Sequence, residues 1–123
     1  LVLDGTKRER RIMVIVGDAE KLIGGEMFSW LVRIAVARLF NPEGKIALAD
    51  LDGGSGAGPE YLRRLRYVTT LNLTMDGFGS VRLNHEERRI FFCHRRIAEF
   101  ADARVDRYIA GHTEALPEYQ KIG

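Results

Sequence analysis

The residues best suited to chemistry lie close together, in Glu60-Tyr61-Leu62-Arg63-Arg64-Leu65-Arg66-Tyr67. A helix that buries Leu62 and Leu65 turns Arg63, Arg64, Arg66 and Tyr67 mostly to its other side. The planar guanidinium fork binds phosphate oxygens and the O6/N7 edge of guanine, each good bidentate contact discriminating by about 1–3 kcal/mol. Such a face recognises an anion without making or breaking bonds. The plain alternative is an ordinary solvated helix face.

Charge points to the same stretch. The chain carries a formal net charge of +2, with 19 basic and 17 acidic residues. Residues 1–57 and 85–123 are each balanced, so the whole excess falls within 58–84, from Arg63, Arg64, Arg66 and Arg82 against Glu60 and Asp76. Most of the basic residues are arginine, which favours phosphate and base recognition over simple solvation.

Other chemistries fail on spacing. Gly54-Ser55-Gly56-Ala57-Gly58-Pro59 is similar to a phosphate-cradling turn before a helix. It places proline where the dinucleotide fingerprint needs its third glycine, and no Lys-Ser/Thr follows for a P-loop. His85, His94 and His112 are scattered, and the neighbours Cys93 and His94 would point to opposite faces of a strand, so no metal site is expected. Cys93 beside Phe92 reads as a core thiol. Glu86 and Glu87 read as solvated turn residues. No catalytic residue, cofactor or metal is expected, and the chain reads as a non-enzyme.

The elements that would position the arginines follow from periodicity and punctuation. Val2 to Val16 reads as strands, with a turn signal at Asp4-Gly5 and a solvated tract at Lys7–Arg11. Gly17-Asp18 closes the strand and Gly24-Gly25 precedes a long helix. Met27, Trp30, Leu31, Ile34, Ala35, Arg38 and Leu39 form its buried face. Asn41-Pro42-Glu43-Gly44 ends it. Lys45 to Leu51 reads as a brief strand, a one-turn helix, or the first followed by the second. After a glycine-rich loop, Pro59 opens a helix running to about Thr69, with Leu62, Leu65 and Val68 inward. Asp76-Gly77 signals a hairpin between Leu71–Met75 and Phe78–Leu83. Arg89 to Cys93 reads as a strand that could pair back across the turn at residues 84–87. Ile97, Phe100, Ala101, Val105, Tyr108 and Ile109 form a last amphipathic helix. Trp30, Leu31, Leu62 and Leu65 are expected in one core.

The chain's 123 residues and 46% apolar content suit one hydrophobic core. Its apolar runs are too short to span a membrane. No signal peptide is visible, and one cysteine fits a reducing compartment, so the expected location is cytoplasmic. The lack of a starting Met suggests a piece of a longer chain.

The order sheet, long helix, short element, loop, Arg-rich helix, β-hairpin resembles the winged helix-turn-helix effector domain of bacterial response regulators, the OmpR/PhoB family, over about residues 1–83. Leu3-Asp4 with Arg10-Arg11-Ile12 looks like that family's leading sheet. Gly17 to Leu31 looks like the entry into its first helix, and Asn41–Ile46 like the turn before its second. Leu62-Arg63-Arg64-Leu65-Arg66, then Gly77-Phe78-Gly79 and Arg82-Leu83, is similar to its recognition helix and wing. The resemblance implies an α+β winged helix with a leading antiparallel sheet and an added C-terminal helix. It divides the chain into a DNA-binding domain at 1–93 and an extension at 94–123. It implies sequence-specific DNA binding in transcription regulation, with Glu60, Tyr61, Arg63, Arg64, Arg66, Tyr67, Ser80 and Arg82 at the DNA. The expected partner is double-stranded DNA. The C-terminal helix either packs on the domain, makes a homodimer contact, or joins a further domain. Asp76 stands where this family often has a basic residue, and a carboxylate there is expected to face phosphate and limit nonspecific affinity, unless it is only a turn residue. The alternative function is a winged-helix protein–protein interaction module.

Overall fold

The computed structural model describes residues 1–4, 11–16, 19–86 and 89–93. Gly5 of the first turn signal, Lys7–Arg10, Gly17-Asp18 and the C-terminal stripe from Ile97 lie outside these residues. The fold is mixed α+β, and the chain divides into two compact units: Leu1–Val32 with Arg88–Gly123, and Arg33–Glu87.

In the first unit the β-branched run expected as a strand is one. β1 (Val2–Asp4) pairs antiparallel with β2 (Arg11–Val16), which pairs antiparallel with β3 (Ala19–Gly24). The strand β3 corrects the sequence reading, which placed these residues at the entry to the helix. Leu22 and Ile23 are too short an apolar pair to display a period of two, and the ladder to β2, from Arg11↔Gly24 to Val16↔Ala19, supplies what the local sequence does not. A second correction concerns β7 (Phe91–Cys93). It does not return to the Asp76 hairpin but pairs parallel with β1, giving the order β3-β2-β1-β7. A three-residue strand carries no signal for its partner, and a parallel partner must come from far along the chain. Leu3, Ile23, Phe28, Leu31, Val32 and Ile90 are at most 3% exposed and form this unit's core, with Trp30 at 5%.

The helix α1 (Gly25–Phe40) contributes residues to both units. Its expected apolar stripe is buried at Trp30, Leu31, Ile34 and Ala35, but Phe28, Val32 and Ala37 are buried too, a wider band than one amphipathic stripe. It stops where expected. A 3₁₀ turn at Pro42–Gly44 follows, and the Asn41 side-chain amide donates to the Lys45 carbonyl at 3.1 Å.

The second unit resolves the ambiguous Lys45–Leu51 stretch as strand followed by short helix. β4 (Lys45–Ala47) is followed by α2 (Leu48–Asp52), then by α3 (Gly58–Thr69) and the hairpin β5 (Leu73–Met75) and β6 (Ser80–Leu83). The antiparallel sheet has the order β4-β6-β5, with Lys45↔Arg82↔Thr74 in one row. Val81 and Leu83 point inward and are fully buried, whereas Ser80 and Arg82 between them are only partly covered, as strand alternation requires. Leu62 and Leu65, at 1% and 0% exposure, join Leu48, Leu51, Leu71 and Leu73 in the buried set, each large side chain contributing about 1.5–3 kcal/mol. All four of Trp30, Leu31, Leu62 and Leu65 are buried, but the first two belong to the first unit and the last two to the second, so the expected single core is divided between the units.

Candidate nucleic-acid interface

The helix α3 is aimed by contacts at both ends. At its start Asp52 accepts from the backbone N–H of Gly54 at 2.7 Å and of Gly58 at 3.2 Å, so the carboxylate serves as a cap that the local Ala57 cannot provide. Gly58 must be small, since a Cβ there would lie 2.5 Å from Asp52 Oδ2 and 2.8 Å from Leu48 Cγ. At its end Thr70 adopts a left-handed conformation (φ 57°), and its N–H returns to the Arg66 carbonyl at 2.8 Å. The buried Thr69 hydroxyl donates to the Leu65 carbonyl at 2.7 Å and accepts the Leu71 N–H. The chain therefore turns directly from α3 into β5.

The candidate residues do not all share one environment. Glu60, Arg63, Arg64 and Tyr67 line an open depression of about 490 Å³ on the exposed side of α3, and Tyr67 is 86% exposed. Arg63 Nη1 lies 3.3 Å from Glu60 Oε1, one helical turn away, with both side chains at least 72% exposed. An exposed pair of this kind contributes about 0–1 kcal/mol, so the guanidinium can leave it for a phosphate at little cost. Arg66 is exposed but tethered, its Nη1 donating to the Leu73 carbonyl at 3.3 Å. This bond ties α3 to the hairpin. Tyr61 is half-buried.

Ser80 and Arg82 sit on the sheet rather than on this face. Ser80 closes the hairpin through its backbone, accepting from Asp76 N–H at 3.0 Å. Arg82 donates through Nε to the Glu43 carbonyl and through Nη1 to Asn84 Oδ1, and Asn84 Nδ2 continues to Thr74 Oγ1. Arg82 is thus a brace between the sheet and the turn after α1, with its guanidinium already engaged.

Of the two sequence expectations for Asp76, a carboxylate facing phosphate and a turn residue, the contacts fit the second. The carboxylate does not project from the hairpin tip. Its Oδ1 accepts from the backbone N–H of Phe78 at 2.8 Å and of Ser80 at 3.0 Å, while Oδ2 accepts from Lys45 Nζ at 3.1 Å. The turn is also longer than the Asp-Gly signal suggests. Gly79 supplies the positive φ (79°), and its N–H donates to the Asp76 carbonyl at 3.2 Å. Asp76 is therefore a turn residue whose charge is matched by Lys45. No local sequence signal marks Lys45 as its partner, because the two are 31 residues apart and meet only through sheet pairing.

These contacts give a pH dependence with a definite sign. The N–H groups of Ser80 and then Phe78 hold the Asp76 carboxyl below its ordinary value, with Lys45 adding to the effect and partial desolvation opposing it. A depressed folded-state value means the contribution is complete above the unfolded-state pKa of about 3.9 and lost as pH falls through the folded value. Asp76→Asn keeps an acceptor for the two N–H groups but cannot titrate. Urea midpoints measured from pH 7 to pH 2.5 should show a shallower acid decline for this variant than for the native chain, and Asp76→Ala should be the less stable of the two variants at pH 7. Identical acid declines would place the carboxylate outside the hairpin's network.

Among the described residues no group of three or more His, Cys, Asp or Glu is placed to hold a metal ion. Likewise, no helix there is long and apolar enough to cross a membrane. Cys93 lies on β7, and His94 and His112 lie outside the described residues. Compared with protein-family models, curated proteins and solved structures, the chain matches none.

Proposed function

We propose that the second unit, Arg33–Glu87, is a winged helix-turn-helix that binds duplex DNA, with α3 as its recognition helix and the β5–β6 hairpin as its wing, in the service of transcription regulation. The observation that carries the reading is the outward face of α3. Arg63, Arg64 and Tyr67 are exposed together on a helix capped at both ends and tied to the following hairpin. The order of helix, strand, helix, helix and hairpin supports it, as does the sheet order β4-β6-β5, which pairs the strand after the first helix with the wing. Arginine contacts to phosphates would position the unit, and a small number of side chains would read base edges in the major groove.

Three expected contacts take different roles in this reading. Arg66 and Arg82 brace the wing, and Glu60 restrains Arg63 until a phosphate competes for it. The protein-interaction alternative rests on Asp76 as a negative charge on the wing and on the short, glycine-heavy stretch before α3. Asp76 is paired with Lys45, which Glu43 also approaches at 3.7 Å, and α2 has five residues. Binding of a labelled random-sequence 30-bp duplex at low salt, followed by fluorescence anisotropy, tests the proposal. Saturable binding that Glu60→Gln strengthens is the expected result, because the substitution frees Arg63 and removes a negative charge. Absence of binding to any duplex at low salt would return the chain to the protein-interaction reading.

A further inference from the structure

The hairpin presents an apolar side chain where an ordinary turn would carry a polar one. Phe78 is 96% exposed, the largest exposure among the large hydrophobic residues described, and Met75 at the end of β5 is 45% exposed. Single exposed hydrophobic side chains are common on protein surfaces. Phe78 is distinguished by the bonds that hold its backbone. Its own N–H is bound by Asp76 Oδ1 at 2.8 Å, and the same oxygen holds the N–H of Ser80 two residues on. Lys45 grips the other carboxylate oxygen, and the Gly79 carbonyl accepts the N–H of Leu48 at 2.8 Å, tying the turn to the start of α2. The tip is thus anchored on both sides of the aromatic ring. Its neighbours Gly77 and Gly79 carry no side chain, so nothing flanks the ring to block a narrow cleft. A Cβ built on either glycine would meet no atom within 4 Å.

We propose that Phe78 is a wedge that enters the minor groove of duplex DNA and partly unstacks one base step, bending the duplex while α3 holds the neighbouring major groove. The inference rests on the DNA-binding reading above and adds a mode of shape recognition to it. Apolar wedges from minor-groove proteins act this way, unstacking a step and kinking the duplex by about 20–90°. Duplex DNA is favoured as occupant by continuity with the arginine face of α3. The excess positive charge lies on that helix, the hairpin itself is neutral with Asp76 and Arg82, and the Arg66 bond to the Leu73 carbonyl ties the two together. Pyrimidine–purine steps, above all TA, unstack most easily, so the wedge predicts preference for a flexible step without a hydrogen bond to any base.

The test is energy transfer between dyes at the two ends of a 30-bp duplex bearing one central TA step, with 2-aminopurine as the adenine of that step. The full chain is compared with Phe78→Ala and Phe78→Leu, each first shown to keep the native thermal midpoint, as its exposure leads one to expect. The expected result is end-to-end shortening and increased 2-aminopurine emission with the native chain. Phe78→Ala should lose both while retaining binding within about tenfold, and Phe78→Leu should retain a part of each. Native binding without bending, or equal bending by Phe78→Ala, would overturn the wedge and leave the DNA-binding reading standing. No duplex binding by the native chain would overturn both. Phe78-dependent capture by anionic lipid vesicles with no bending of DNA would overturn the wedge in favour of a membrane surface.

Discussion

Gly58→Ala is expected to destabilise the second unit by about 1–3 kcal/mol, a fall of roughly 4–15 °C in thermal midpoint. The backbone conformation of Gly58 is open to alanine, so the cost does not come from dihedral strain. It comes from space. The added carbon would lie 2.5 Å from Asp52 Oδ2 and 2.8 and 3.1 Å from Leu48 Cγ and Cδ2. Asp52 can swing away only by giving up the Gly54 and Gly58 N–H groups it caps. Leu48 is 7% exposed and has little room to yield. Gly77→Ala is the matched control, since a Cβ at Gly77 meets nothing within 4 Å and its φ is not positive. It should leave the midpoint within about 0.5 kcal/mol of native. Differential scanning fluorimetry on the three proteins decides the matter. Equal midpoints for all three would mean that α2 does not pack against the start of α3, and α3 would lose the support that aims its arginines.

The second large effect is on binding. Replacing both Arg63 and Arg64 by alanine should weaken binding to random duplex by roughly 10- to 100-fold at moderate salt, because two charge-assisted phosphate contacts are removed. Stability should barely change, since Arg64 is exposed and the Arg63–Glu60 pair is a weak surface contact. Arg66→Ala should behave differently. It removes the bond to the Leu73 carbonyl as well as a charge, so it should lower the midpoint while weakening binding less than the double substitution. If Arg63→Ala/Arg64→Ala bound DNA as tightly as the native chain, the outward face of α3 would not be the contact surface.

Much of the second unit was legible because its signals are local. Leu62 and Leu65 fix the inward side of α3, Pro42 stops α1, and Pro59 opens α3 within a residue of its observed start. The loop between α2 and α3 was equally clear from its glycines. What escaped the sequence depends on partners distant along the chain. The strand β3 is defined by its ladder to β2, and β7 by a parallel register to β1 that no three residues can encode. The site divides along the same line. The exposure of Arg63, Arg64 and Tyr67 follows from helical spacing, and the structure agrees. The engagement of Arg66 by β5, of Arg82 by Glu43, and of Asp76 by Lys45 all cross from one element to another. Asp76 shows the consequence. From sequence it was either a carboxylate facing phosphate or a turn residue, and in the fold it organises the turn that presents Phe78.

The most direct measurement of the central claim is a salt titration of duplex affinity for the native chain and for Arg63→Ala/Arg64→Ala. For a face that neutralises phosphates, the logarithm of the association constant falls linearly with the logarithm of salt concentration, by about 0.9 per phosphate. The native chain should give a slope of about −2 or steeper, and the double variant a slope shallower by about 1.8. A native slope near zero, or equal slopes for the two proteins, would contradict DNA recognition by the arginine face of α3.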